Sequence, residues 1–139
     1  MRALVQRVSS AAVRVDGERI AAIGPGLLVL LGVAADDVEA HADRLARKVR
    51  GLRIFPDAAG QMNDPLGDRE ILCVSQFTLY ADTRRGHRPG FSEAAPPELA
   101  LPLYERFCEQ AQAAARGVFG AHMEVTLTND GPVTLLRET

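Results

Sequence analysis

Apolar residues in the first quarter of the chain recur with the spacing of strands. "ALVQRV" (3 to 8), "AVRVDGERIAAIG" (12 to 24) and "LLVLLGV" (27 to 33) read as successive strand segments. The second folds back at Asp16-Gly17, a dipeptide suited to the positive φ of a type I′ turn, so the block is expected to be antiparallel at least in part. The period then changes. In 36 to 51, Val38, Ala42, Leu45 and Val49 recur at three or four, Asp36 and Asp37 complement a helix N-terminus, and Gly51 is a stop. "RIF" (53 to 55) is a short strand, and 56 to 70 is a turn-rich loop with two prolines and two glycines. The long apolar run "ILCVSQFTLY" (71 to 80) predicts a central strand buried on both faces. A second helix is expected over 98 to 116, where Leu99, Leu103, Phe107 and Ala111 share a face. Pro97 suits its first turn, and Pro102 predicts a kink or a later start. "HMEVTLTN" (122 to 129) and "PVTLLRE" (132 to 138) complete the sheet. The pattern is a β-rich α/β fold.

Composition limits what such a fold can be. A chain of 139 residues with 47% apolar content makes one domain, 1 to 139, with a substantial core. A net charge of -2 argues against a surface coated in basic charge, so a polyanionic partner would have to be met by a local patch. Cys73 and Cys108 lie in apolar patterns and read as reduced, buried thiols. No run approaches the ~20 apolar residues that span a bilayer, and a soluble, cytoplasmic protein is expected. His41, His87 and His122 are isolated from one another and from the cysteines, and no phosphate loop, dinucleotide fingerprint or nucleophile elbow is present. Neither a metal nor a cofactor is expected.

Two stretches stand out. "SQFTLY" places Ser75, Gln76 and Thr78 in an apolar run, where buried polar groups must find a partner or a ligand. Strand alternation would put Gln76 and Thr78 on one face, and Ser75 and Phe77 on the other. In "NDGPVT" (129 to 134), a Gly-Pro pair interrupts a strand where proline cannot donate to the ladder. Each taken alone has an ordinary reading: core hydrogen bonds for the first, a hairpin turn for the second.

Together they resemble the signatures of the D-aminoacyl-tRNA deacylase (D-tyrosyl-tRNA(Tyr) deacylase) family. The likeness runs through "ALVQRV", "GPGLLVLLGV", "QMN", "VSQFTLYADT", "RPGFSEAA", "FGAHMEV" and "TNDGPVT". The resemblance implies a single-domain, β-barrel-like sheet with two flanking helices, forming a homodimer with active sites at the interface. The implied reaction is hydrolysis of the ester between tRNA and a D-amino acid, or glycine mischarged on alanine tRNA. It assigns catalysis to Ser75, Gln76, Phe77 and Thr78, and substrate contacts to Asn129 and Met123. It also implies a cis Gly131-Pro132 whose carbonyls, inserted into the partner subunit, exclude L side chains. Backbone N–H groups of 75 to 78 could meet the oxyanion. Thr78 as nucleophile would need an adjacent base, and the ribose 2′-OH of the tRNA is the favoured alternative.

A tRNA would be held by Arg84, Arg85 and Arg88 beside His87, with Lys48, Arg50 and Arg53 as a second patch. The chain departs from the family pattern at Glu93, where lysine is common, at His122, where aspartate is frequent, and in a shortened region after Asn63. Two other classes fit parts of the sequence. A tRNA-binding module without catalysis would keep the basic loop, although 5% aromatics and no Trp argue against it. A small-molecule esterase would use Ser75 or Thr78 with a base such as His87.

Overall fold

The computed structural model describes residues 1–139, and its architecture is organised by the first strand. Strand β1 (Arg2–Val15) turns through Asp16 and Gly17, both at positive φ, into β2 (Glu18–Ile23), and β3 (Gly26–Gly32) follows. Helix α1 (Glu39–Arg50) leads to a small hairpin, β4 (Phe55–Pro56) and β5 (Met62–Asp64). Then come β6 (Glu70–Ser75), a 3₁₀ turn (Phe77–Tyr80), helix α2 (Pro97–Gln110), β7 (Ala115–Arg116) and β8 (Glu124–Glu138).

β1 is paired on both edges. Along one, β8 runs antiparallel from Arg2↔Glu138 to Arg14↔Glu124. Along the other, β3 pairs antiparallel with residues 2 to 8, and β2 with residues 11 to 15. β6 joins β3 in parallel, and β7 joins β6 in parallel. The result is a curled, nearly closed barrel-like sheet with two helices on it.

Two cores follow from the period of the strands. In β3, Leu27, Val29 and Leu31 face the helices, while Leu28 and Leu30 face the barrel interior. β6 does the same with Ile71 and Cys73 outward and Leu72 and Val74 inward. β1 changes core between Val5 and Val8, where its register with β8 is irregular. The parallel pairing starts at Gly26, where a Cβ would lie 1.9 Å from the Glu70 carbonyl oxygen, so no other residue fits without moving the strand.

The structure corrects several sequence expectations. The run 71 to 80 is not one strand: β6 stops at Ser75 and the chain winds into the 3₁₀ turn, so strand alternation does not govern Gln76 and Thr78. The last two expected strands are one, and Gly131-Pro132 sits inside β8 rather than at a hairpin. Helix α2 starts at Pro97 and continues through Pro102, ending at Gln110. The missing Pro102 N–H forfeits one bond to the Glu98 carbonyl, and the buried face of Ala100, Leu103, Tyr104 and Phe107 outweighs that loss. Arg106 ties the two helices by reaching Glu39 and Asp43.

Helix α1 begins at Glu39, later than the acidic pair suggested, because Asp37 is buried and turned inward. Its carboxylate accepts from the Met1 ammonium at 2.7 Å, from the Ala34 amide at 2.7 Å and pairs with His41 Nδ1 at 2.8 Å. Burial pushes this carboxyl up, but these hydrogen bonds and the ammonium charge outweigh it and hold it below the usual carboxylate range. A carboxyl depressed in the folded state contributes stability that is present above its unfolded pKa and is lost as pH falls through the folded value. Urea midpoints should therefore decline on acidification from about pH 4 downward, near the unfolded Asp value. Asp37→Asn should cost about 2 kcal/mol at neutral pH and flatten that decline. Parallel pH profiles for the two proteins would count against this role.

Candidate active site

The 3₁₀ turn after β6 presents backbone rather than side-chain chemistry. It is entered by the Gln76 amide donating to the Leu31 carbonyl at 2.8 Å, which extends the β3–β6 ladder by one bond. Inside the turn, Leu79 N–H donates to the Gln76 carbonyl and Ala81 N–H to that of Thr78. The first two amides, Phe77 and Thr78, precede any acceptor the turn can offer, and no side chain caps them. The Thr78 hydroxyl is engaged by the Gln76 side-chain amide.

The turn opens onto a cavity of about 620 Å³. Ser75, Gln76 and Phe77 form one wall, and Ala94 to Pro97 with Ala100 and Tyr104 of α2 form another. Phe119 to Met123 and Val125 close the third side. Phe77, 56% exposed, stands at the mouth in an edge-on contact with Phe91 at 4.9 Å between ring centres. The lining is largely apolar and contains no Asp, Glu, Lys, Arg or Cys. Its titratable side chains are His122 and Tyr104. Tyr104 is spent structurally: its hydroxyl donates to the Cys73 carbonyl at 2.9 Å, and burial pushes its pKa far up. Cys73 and Cys108 are both free and buried behind it, and burial raises the Cys73 thiol. The cavity lining thus offers no carboxylate as a base, and the only side-chain contact of the Thr78 hydroxyl is the Gln76 amide.

Gly131-Pro132 lies elsewhere on the same chain. The β1–β8 pairing passes from Gln6↔Thr134 directly to Val8↔Asn129, so residues 130 to 133 loop out of the ladder. Here the Gly131-Pro132 peptide is cis, and Gly131 has φ 123°. Asn129 fastens the excursion, its amide donating to the carbonyls of Arg7 at 2.9 Å and Val133 at 3.0 Å while accepting from the Thr134 hydroxyl at 3.1 Å. Arg7 adds a clamp, donating to the Asp130 carbonyl at 3.2 Å and the Ile54 carbonyl at 2.6 Å and pairing with the Asp130 carboxylate. Gly131 and Pro132 are exposed.

Of the residues singled out in the sequence, the structure thus brings Ser75, Gln76, Phe77 and Met123 to one cavity, with Thr78 in the adjoining turn. Asn129, Gly131 and Pro132 do not line it. Arg84, Arg85 and Arg88 share a shallow exposed basin with Asp82 and Ser92. Arg84 is held by Asp82 through two bonds of 2.8 and 2.7 Å, whereas Arg85 and Arg88 make no ion pair. In the second basic patch, Arg50 and Arg53 are occupied with the Ala111 and Asn63 carbonyls. Glu93 faces a separate acidic basin with Asp36 and Glu138. Arg7 was missed in the sequence, although an arginine inside the apolar strand "ALVQRV" is the kind of buried charge that demands a partner.

A family model described as D-Tyr-tRNA(Tyr) deacylase matches residues 4–138. A D-aminoacyl-tRNA deacylase of Roseiflexus castenholzii is 58% identical, covering 100% of this chain and 92% of the relative. One from Symbiobacterium thermophilum is 56% identical over 98% of this chain and 94% of the relative. Among solved structures, a c-Myc DNA unwinding element binding protein superposes with TM-score 0.94 at 42% identity, covering 100% of this chain and 99% of the other. A probable eukaryotic D-amino acid tRNA deacylase shares the fold, with TM-score 0.87 at 16% identity and coverage of 99% and 98%.

The bonds around Asn129 make a stability prediction independent of activity. Asn129→Ala strands the carbonyls of Arg7 and Val133 at the base of the looped-out segment and should cost about 2 kcal/mol in urea unfolding. Asn129→Asp keeps the size and the acceptor but loses both donors, and should cost a similar amount. A loss below ~0.5 kcal/mol in both variants would show that the excursion does not depend on this side chain.

Proposed function

This chain belongs to the D-Tyr-tRNA(Tyr) deacylase family, and from that premise we propose that it hydrolyses the ester linking D-amino acids to tRNA, with the 3₁₀ turn as its catalytic centre. The observation that carries this reading is the pair of uncapped amides, Phe77 and Thr78, beside a largely apolar cavity without acidic or basic side chains other than His122. Unengaged backbone N–H donors are what the oxyanion of an attacked ester needs. An aminoacyl ester is already activated, so little else is required.

In this mechanism water attacks the carbonyl carbon, its proton is relayed through the ribose 2′-OH, and the negative charge grows on the carbonyl oxygen facing the two amides. The tetrahedral intermediate then collapses, the bond to the ribose oxygen breaks, and that oxygen takes up a proton to leave free tRNA and a D-amino acid. Gln76 holds the Thr78 hydroxyl, which fits a residue that shapes the turn better than one that attacks. Ser75 lines the cavity as a polar contact, and Met123 supplies an apolar contact across from it.

Stereochemical selection is assigned to Gly131-Pro132. These residues do not reach the cavity of their own chain, so in this reading they enter that of a second copy, in a homodimer. Two features support such an assembly: β8 is unpaired on its outer edge, and Leu135 and Leu136 are exposed along it. Rigid backbone carbonyls facing the substrate Cα would collide with an L side chain and tolerate a D side chain, or none. Glycyl-tRNA, including glycine mischarged on alanine tRNA, would then be accepted as well, because exclusion cannot act on an absent side chain. Asn129 serves this selection by positioning the segment rather than by touching substrate.

The tRNA would be held by Arg85 and Arg88, with Arg84 available once a phosphate competes with Asp82. The substrate places the reaction in the cytoplasm. The likeness to a c-Myc DNA unwinding element binding protein, 42% identical, raises a DNA-binding reading. The test is a side-by-side assay of D-tyrosyl-tRNA, L-tyrosyl-tRNA and duplex DNA. Release of D-tyrosine alone is expected, and tight DNA binding without deacylation would reverse the conclusion.

Two further outcomes follow. Thr78→Ala should keep kcat within about tenfold of wild type, since the amides survive the substitution, while a substrate ending in 2′-deoxyadenosine should be bound but cleaved slowly. A dead variant that coincides with fast cleavage of the deoxy substrate would make threonine the nucleophile. If the filter is delivered by a partner subunit, specific activity should fall on dilution in step with dissociation measured by light scattering. A fully active monomer would remove the second copy from the site.

A further inference from the structure

The 3₁₀ turn is anchored at its entrance by the β3–β6 ladder, and its exit needs a separate support. Gly32 packs against the turn: a Cβ there would lie 3.1 Å from the Gln76 carbonyl oxygen and 3.1 Å from the Leu79 Cβ. The strand register puts Arg2 opposite Gly32 on one side and opposite Glu138 on the other. From this crossing point the Arg2 guanidinium donates to the Leu79 carbonyl at 2.8 Å, lies 4.4 Å over the Tyr80 ring and pairs with Glu138. Leu79 and Tyr80 are the last two residues of the turn, so one cation grips its exit by a charge-assisted hydrogen bond and by ring stacking.

We infer that Arg2 is a positioning residue for ester hydrolysis: it fixes the pitch of the Phe77–Tyr80 turn and so the aim of the Phe77 and Thr78 amides. The inference rests on the deacylase reading of that turn. A turn of four residues is closed by few bonds of its own, so a rotation at its exit is passed to its entrance. Donors that stabilise an oxyanion lose effect when displaced by a fraction of an ångström. Glu138 neutralises the guanidinium, which separates this role from attraction of tRNA phosphates.

The test compares wild type with Arg2→Met, which keeps the stem and removes the donors, and with Arg2→Lys, which keeps a single ammonium able to reach one carbonyl. On D-tyrosyl-tRNA, Arg2→Met should lower kcat roughly ten- to a hundredfold with KM held within about twofold. Arg2→Lys should fall between the two. Amide hydrogen exchange at Leu79 and Ala81, the donors that close the turn, should quicken in the same order. Wild-type kcat in Arg2→Met, or a lowered kcat with unchanged exchange at those amides, overturns the inference. Should Arg2→Met fail to fold, Arg2→Lys decides: an intermediate kcat with faster exchange supports the clamp, and wild-type values of both reject it. If wild type itself releases no D-tyrosine, the deacylase reading fails instead, and the exchange rates still report whether Arg2 holds the turn.

Discussion

Everything in this fold depends on β1 being paired along both edges. Its ladder with β8 spans Arg2 to Arg14, while β3 and β2 divide the opposite edge between them. A strand paired along most of both edges gives its neighbours a fixed register. That register places Gln6 against Thr134 and Val8 against Asn129, forcing residues 130 to 133 out of the ladder. It also sets Arg2 opposite Gly32, beneath the 3₁₀ turn. The two segments of the proposed function, far apart in the chain, are thus both indexed to one strand.

The position of β8 explains why a Gly-Pro pair is tolerated in a strand of fifteen residues. β8 is an edge strand, where a missing N–H costs no ladder bond to a further neighbour. The side chains around it make up the local deficit: Asn129 supplies two donors to carbonyls that the interrupted ladder leaves open, and Arg7 supplies others to Asp130 and Ile54. The segment is held by these polar contacts and by Val133, which is buried in the main core, while Asp130, Gly131 and Pro132 stay exposed.

In the proposed function, the protein relies on backbone groups for both of its tasks. N–H groups of a turn meet developing charge, and carbonyls of a looped-out segment reject the wrong configuration. Backbone dipoles bring no titration of their own near neutral pH and keep their orientation as long as the turn and the excursion hold. The side chains nearest them, Gln76, Asn129, Arg7 and Arg2, are engaged with other protein groups, which is how preorganisation is built from residues that need not touch the substrate.

Much of this was legible in the sequence, because apolar period and turn chemistry are local. The spacing of Ala42, Leu45 and Val49, the Asp16-Gly17 turn and the apolar runs of β3 and β6 report which face each element buries, whatever their partners. The motifs "SQFTLY" and "NDGPVT" stood out by their residue types, but it was the family resemblance that proposed a role for them. The end of β6 at Ser75 was not legible, since Phe77, Leu79 and Tyr80 are as apolar as a strand and only packing against Gly32 and Arg2 decides for a 3₁₀ turn. Nor was the unity of β8, because a proline reads as a break until a neighbouring strand carries the pairing past it. The inward turn of Asp37 needed the Met1 ammonium and Ala34 amide beside it, and the roles of Asn129, Arg7 and Arg2 needed their carbonyl partners. Local pattern fixes what a residue prefers to do, whereas a hydrogen bond between positions 122 or 77 residues apart exists only once the sheet has set the register that brings them together.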